Sequence, residues 1–171
     1  RYQTSDGPKV FFILMTDYIS QKILKMGAWS NASDSCYLLY EDRFLRRKVL
    51  KTVKGASLLV DLAHATSLDD GDAFALSDGQ AIEVIAAPEP LLEITGDLVQ
   101  LAWHIGNRHT PCQIERDRLL IQNDAVIGHM LEHLGATVTQ IEAPFMPEGG
   151  AYGHGRTHSH EHGATAHDHD H

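Results

Sequence analysis

Pro88-Glu89-Pro90 constrains the chain more than any other three residues, because each proline fixes its own φ and pushes the residue before it into extended geometry. No helix runs through such a joint, and the pattern on its two sides differs. Ahead of it come short runs rich in β-formers: Cys36 to Tyr40, Arg46 to Val53, Ser57 to Leu62, Ala73 to Leu76 and Ala81 to Ile85. Gly27, Lys54-Gly55, Asp70-Gly71-Asp72 and Asp78-Gly79 separate them, residue types that tolerate the positive φ of tight turns. Residues 19–88 therefore read as a small all-β domain, with Leu76 to Ala81 as its strongest hairpin signal.

After the joint the order becomes strand (Leu91 to Thr95), helix (Asp97 to Ile105), strand (Cys112 to Glu115), strand (Leu119 to Gln122), helix (Asp124 to Leu134) and strand (Thr137 to Ala143). This βαββαβ succession over residues 89–147 is the ferredoxin-like arrangement, in which two helices cover one face of an antiparallel sheet. Asp97 is placed to cap the first helix, with Leu98, Leu101, Ala102 and Ile105 on its buried face and Gly106 as the left-handed residue that ends it. Asn123 or Asp124 caps the second helix, Val126, Ile127, Met130, Leu131 and Leu134 form its apolar face, and Gly135 stops it. Residues 148–171, rich in glycine and histidine, predict a mobile tail. The whole is an α+β chain. Residues 1–18 read as an N-terminal extension, since Met15-Thr16-Asp17 resembles a bacterial start and the expected natural product begins at Met15.

The charge excludes several functions. With a net charge of -9 the molecule repels nucleic acid and anionic membrane. Cys36 and Cys112 are the only cysteines, too few for a disulfide framework and without paired zinc spacing, which favours a reducing cytoplasmic home. The apolar run Val10 to Met15 is too short for a signal-peptide core or a membrane span. One basic stretch stands against the acidic total: Arg43 to Lys54 holds six of the fourteen Lys and Arg residues. It reads as a solvated strand face, with a nucleic-acid or protein-binding module as the alternative. There is no His-Glu-x-x-His, phosphate loop or nucleophile elbow, so catalytic readings lack their parts and the chain is not expected to be an enzyme.

Histidine carries the remaining chemistry. Seven of the eighteen positions from His154 to His171 are histidine: His154, His158, His160, His162, His167, His169 and His171. Neutral imidazoles suit Ni(II), Cu(II), Zn(II) and Co(II), and composition alone does not choose among them. Ser159, Glu161, Asp168 and Asp170 interleave, unlike the uninterrupted run of a purification tag. Upstream, Trp103-His104-Ile105-Gly106-Asn107-Arg108-His109-Thr110-Pro111 sets two histidines beside a helix stop. On one continuous helix His104 and His109 would stand about 140° apart, so they do not chelate as a pair. A lone loop histidine such as His109 is ordinarily a surface hydrogen-bonding group, and position alone leaves its role open. His129 and His133, at i and i+4, share a helix face but have no further ligand nearby in sequence. His64 reads as structural, and Cys112 as a small core residue at a strand start with a soft-ligand alternative.

Three stretches together resemble the UreE family of urease accessory metallochaperones. They are Ala86-Ala87-Pro88-Glu89-Pro90-Leu91-Leu92-Glu93-Ile94, then Trp103 to Pro111, then Glu142-Ala143-Pro144-Phe145-Met146-Pro147 running into Glu148-Gly149-Gly150-Ala151-Tyr152-Gly153-His154-Gly155. The resemblance implies a β-rich N-terminal domain, a ferredoxin-like metal-binding domain and a homodimer joined through the latter. The family's Gly-Asn-Arg-His motif falls on Gly106 to His109, and its interface metal ligand on His109. It implies Ni(II) as cargo, with Zn(II) or Cu(II) able to occupy the same sites, and delivery to the urease maturation complex through the urease accessory GTPase. The tail histidines are then expected to supplement two His109 imidazoles, with His104 as a neighbouring residue. Where some relatives carry a His-x-His pair, this chain reads Gln122-Asn123-Asp124-Ala125, so that peripheral site is missing and His129 and His133 are its conceivable replacement. A general metal buffer using the tail is the alternative.

Overall fold

The computed structural model describes residues 16–150. Met15 and the rest of the expected extension up to it, together with the seven tail histidines from His154 to His171, lie outside the described residues.

Among the described residues seven strands precede the proline joint: β1 (Tyr18–Ser20), β2 (Lys22–Leu24), β3 (Ala32–Leu38), β4 (Phe44–Lys51), β5 (Ser57–Ser67), β6 (Ala73–Ala75) and β7 (Ala81–Ala86), with a 3-10 turn at Glu41–Arg43. They form a three-stranded sheet in the order β1-β5-β4 and a four-stranded sheet in the order β2-β6-β7-β3. Cys36, Leu38, Leu58, Val60, Phe74, Ile82 and Val84 meet in one buried cluster between them. The hairpin signal corresponds to β6 and β7, which pair antiparallel while Gly79 turns at φ 84°. Two three-residue strands, β1 and β2, were not expected; they are too short to show an alternation, and their pairing with β5 and β6 supplies what local pattern does not.

The second half contains β8 (Pro88–Thr95), α1 (Leu98–Asn107), β9 (Gln113–Ile114), β10 (Leu119–Gln122), α2 (Ala125–His133) and β11 (Thr137–Pro144). Its sheet runs β11-β8-β10-β9, so the first and third strands of this half are central. Leu92 and Ile94 of β8 and Leu119 and Ile121 of β10 point to one face, where they bury Leu101 and Ile105 of α1 and Ile127 and Leu131 of α2. Asp97 caps α1 through Gln100 N at 3.3 Å, and Asp124 caps α2 through Val126 N and Ile127 N at 2.8 and 3.0 Å. Pro88 and Pro90 belong to β8 rather than to a loop. They are tolerated because β10 begins pairing only at Leu91, leaving the proline positions with a single strand neighbour, β11.

The opposite face of this sheet buries Leu91, Leu120 and Phe145, and Tyr40 from the first half joins them with its ring edge-on to Phe145 at 5.2 Å. Here the expected basic strand face needs correction. Arg43 is only 2% exposed; its guanidinium donates to the Phe145 carbonyl and lies 5.7 Å from the Tyr40 ring centroid. Beside it Glu89 accepts from Tyr40 N at 2.8 Å and from Gln122 Nε2 at 3.2 Å. The other basic residues of the stretch do face outward, and several are matched within the fold: Lys48 with Asp42 at 2.6 Å, Arg47 with Asp61 at 3.6 Å, and Lys54 with the Ser33 carbonyl at 2.5 Å.

Candidate metal centre

Helix α1 leads to the stretch on which the functional reading turns. Leu101 and Ile105 anchor it in the core, while Val99 and Trp103 are 84% and 63% exposed on its outer side. Gly106 is not the helix stop. It is helical and exposed, the helix continues through Asn107, and Arg108 is the C-cap with φ -95°. The left-handed residue is His109, at φ 55°, the one non-glycine position with positive φ among the described residues. His109 N donates to the Gly106 carbonyl at 2.9 Å and Thr110 N to the Ile105 carbonyl at 3.4 Å, which is the paired closure of a Schellman motif. Pro111 follows and cannot extend the helix. A histidine thus holds the seat that glycine normally takes, and its imidazole is exposed at the end of α1.

His104 is half-buried, its ring edge-on to Trp103 at 5.0 Å. The chain after β11 returns to the same loop: Glu148 N donates to the Cys112 carbonyl at 2.8 Å, and Met146 N to Gln113 Oε1 at 2.8 Å. The root of the tail therefore lies against residues three and four positions beyond His109. Neither Gln113 nor Glu148 was singled out from sequence, since their roles depend on partners more than thirty residues away.

The remaining candidates are dispersed. His129 and His133 are exposed on α2, and His129 Nδ1 stands 3.4 Å from Glu132 Oε2. Val126, expected on the apolar face of that helix, is 73% exposed; it sits in the first turn, to one side of the line set by Ile127 and Leu131. His64 is exposed within β5, and its carbonyl accepts from Thr66. Cys112 is half-buried against the α1 and α2 core, and burial, then the charge of Glu148, pushes its thiol up to about 11. At neutral pH it is a protonated core residue, a poor soft ligand. Among the described residues no three His, Cys, Asp or Glu side chains converge as a complete metal shell. Of the exposed histidines among the described residues, His109 is the one on a positive-φ backbone seat closed by two hydrogen bonds.

The sequence aligns with known families along nearly all of the described length. The UreE urease accessory protein N-terminal domain matches residues 15–87, and the UreE urease accessory protein C-terminal domain matches residues 89–171. The urease accessory protein UreE of Ruegeria pomeroyi is 65% identical over 137 residues, covering 80% of this chain and 92% of its own length. The proteins of the same description from Rhodobacter capsulatus and Paracoccus denitrificans are 57% and 60% identical, over 81% and 69% of this chain and 88% and 76% of their own lengths.

Proposed function

Since the chain belongs to the UreE family of urease accessory proteins, we propose that it carries Ni(II) as cargo and delivers it for assembly of the urease active site, acting as a chaperone and not as an enzyme. The observation that carries this reading is His109, an exposed imidazole held at a strained helix terminus where glycine would be easier. In this reading the β-rich unit spans residues 19–88, a ferredoxin-like metal-binding unit spans 89–147, and 148–171 is the histidine-rich tail. The strand order β11-β8-β10-β9 with two helices on one face supports the ferredoxin-like description.

One imidazole does not hold a nickel ion, so the carrier acts as a homodimer. Val99, Trp103 and Gly106 stand four and three positions apart along α1, an exposed stripe that leads to His109. A partner packed on that stripe about a two-fold axis brings a second His109 to the first. The tail then completes the shell. From Glu148 to His154 is six residues, a reach of up to about 20 Å, whereas Cys112 and His109 are at most about 11 Å apart along three Cα steps. Because Glu148 is bonded to Cys112, His154 is long enough to reach His109, and His158 to His171 provide further donors.

Such a site suits transfer. Few fixed ligands and an exchangeable outer shell let an acceptor, here the urease accessory GTPase within the maturation complex, replace bonds one at a time. Neutral imidazole also binds Zn(II) and Cu(II), so delivery to the cognate acceptor, in the cytoplasm, contributes to selectivity along with affinity. Isothermal titration with Ni(II) tests the reading directly: His109→Ala removes one binding phase, and an unchanged titration sinks the assignment. A nickel-dependent association with the GTPase separates delivery from storage, because a metal buffer would show none.

A further inference from the structure

Helix α2 lays one of its faces along the edge of the second sheet. Ala125, Gly128, His129 and Glu132 recur at i, i+3, i+4 and i+7, so they share that face. β11 is the edge strand beside them, and its Val138 and Gln140, two positions apart, point to the helix side. Gly128 lets the two surfaces touch, since a Cβ there would stand 3.1 Å from Leu92 Cδ1. Next to that contact they part, leaving a hollow of about 180 Å3. Its floor is the buried Leu92 and the half-buried Val138; its rim is His129, Glu132, Asn123 and Gln140, all four exposed. Asn123 is held there by its backbone, whose N–H donates to the Pro90 carbonyl at 3.3 Å, and by the helix cap at Asp124 that follows it.

The rim is a set of metal donors. His129 Nδ1 and Glu132 Oε2 stand 3.4 Å apart, which is the separation of two ligands that each lie about 2.1 Å from one tetrahedral ion. An i,i+3 surface ion pair accounts for those two side chains taken alone. It does not account for the carboxamides of Asn123 and Gln140, which border the same hollow and make no side-chain hydrogen bond among the described residues. Each has an oxygen to offer and can turn it inward. Two of the four donors are thus carboxamides, which is why no trio of His, Cys, Asp and Glu marks the place. We propose that this hollow is a divalent-cation site of its own, with His129, Glu132, Asn123 and Gln140 as ligands and water in the remaining positions. One imidazole nitrogen with three oxygens suits Ni(II), Co(II) or Zn(II), and the exposed rim makes the ion readily exchangeable. The site needs no second protomer and no contribution from His109, which lies at the end of the other helix. His133 takes no part: it stands i+4 from His129 but does not border the hollow.

The test is a titration of the full nitrogen-labelled chain with Zn(II), followed by nuclear magnetic resonance. Histidines elsewhere in the chain also take Zn(II), so the readout is local: the side-chain amide signals of Asn123 and Gln140 and the imidazole signals of His129. These are expected to shift together and saturably. His129→Ala abolishes the amide response, and Glu132→Gln raises the half-saturating Zn(II) concentration roughly tenfold or more. Asn123→Ala combined with Gln140→Ala weakens the response of the His129 imidazole severalfold, whereas His133→Ala and His109→Ala leave all three signals as they were. Every substituted position is exposed, so the fold tolerates the changes. Amide signals that stay still while other imidazoles titrate overturn the proposal, as does an amide response that survives His129→Ala. If His133→Ala costs as much as Glu132→Gln, the i,i+4 histidine pair holds the ion and the proposed ligand set is wrong; if the double carboxamide change costs nothing, the hollow is not the site.

Discussion

At the end of α2, Gly135 holds φ 88°, and the N–H groups of Gly135 and Ala136 close on the carbonyls of Glu132 and Leu131 at 2.9 and 3.0 Å. At the end of α1 the same two bonds are made by His109 and Thr110, with His109 at φ 55°. One backbone device therefore serves both helices, once with the residue that suits it and once with a residue that does not. For an L-residue the left-handed conformation costs roughly 1–2 kcal/mol, a penalty that glycine escapes. Gly135 is explained by the turn alone, whereas His109 is not. The difference accords with the proposed role of His109: a side chain at a seat where it strains the backbone is one the proposal keeps for its imidazole. The seat also gives the imidazole a defined root, since a Schellman closure fixes the backbone on both sides of it.

The largest expected effect comes from making the two ends alike. His109→Gly is expected to weaken the Ni(II) phase by about a hundredfold or more, since even residues that only orient a ligand cost tenfold to a hundredfold. The same change is expected to raise stability by up to about 1 kcal/mol through relief of the left-handed strain. Titration calorimetry and urea unfolding read the two quantities on one sample. Opposite signs sustain the contrast between the helix ends; a loss of stability would mean that the histidine is there for the fold.

The converse change is smaller. Gly135→His places an imidazole in the equivalent seat of α2, where a Cβ meets no atom within 4 Å, so the cost is conformational rather than steric. It is expected to destabilise the chain by roughly 1–2 kcal/mol and to add no new nickel phase. A gained phase of comparable affinity would show that any imidazole at a helix end suffices, and that α1 has no special place in the proposed dimer.

How much of this was legible in the sequence follows from how local each cause is. Asp97, Asp124 and Gly135 act within four residues of themselves, and each does what its type and place announce. Gly106 misleads because a helical glycine and a helix-ending glycine look the same in sequence. Pro111 bounds the helix end to within a few residues but does not place the left-handed seat, which lies at His109, three residues after Gly106. Arg43 was out of reach, because the carbonyl that makes its burial tolerable belongs to Phe145, 102 residues further on. Gln113 is invisible for the same reason, its meaning depending on a backbone amide 33 residues away. The three-residue strands β1 and β2 carry no period and exist through their neighbours. The family resemblance points to His109 where position alone leaves it open, and the backbone geometry gives a separate physical reason to test the same residue.

Gly106 itself becomes a sharper question once it is freed from the role of helix stop. Its φ is not positive, a Cβ built on it meets nothing within 4 Å, and it lies exposed inside α1. In such a place glycine costs a helix about 1 kcal/mol relative to alanine, with no compensation visible among the described residues. The compensation we expect is close approach by the partner helix along the Val99, Trp103 and Gly106 stripe. Gly106→Ala should then stabilise the isolated protomer by about 0.5–1 kcal/mol, while it weakens self-association severalfold, because a methyl group separates the two helices. Unfolding at concentrations below the dimer dissociation constant and sedimentation above it measure the two terms separately. If the alanine variant is more stable and dimerises as well as the parent, the two-fold contact lies elsewhere on the molecule, and the pairing of two His109 imidazoles loses its geometric support.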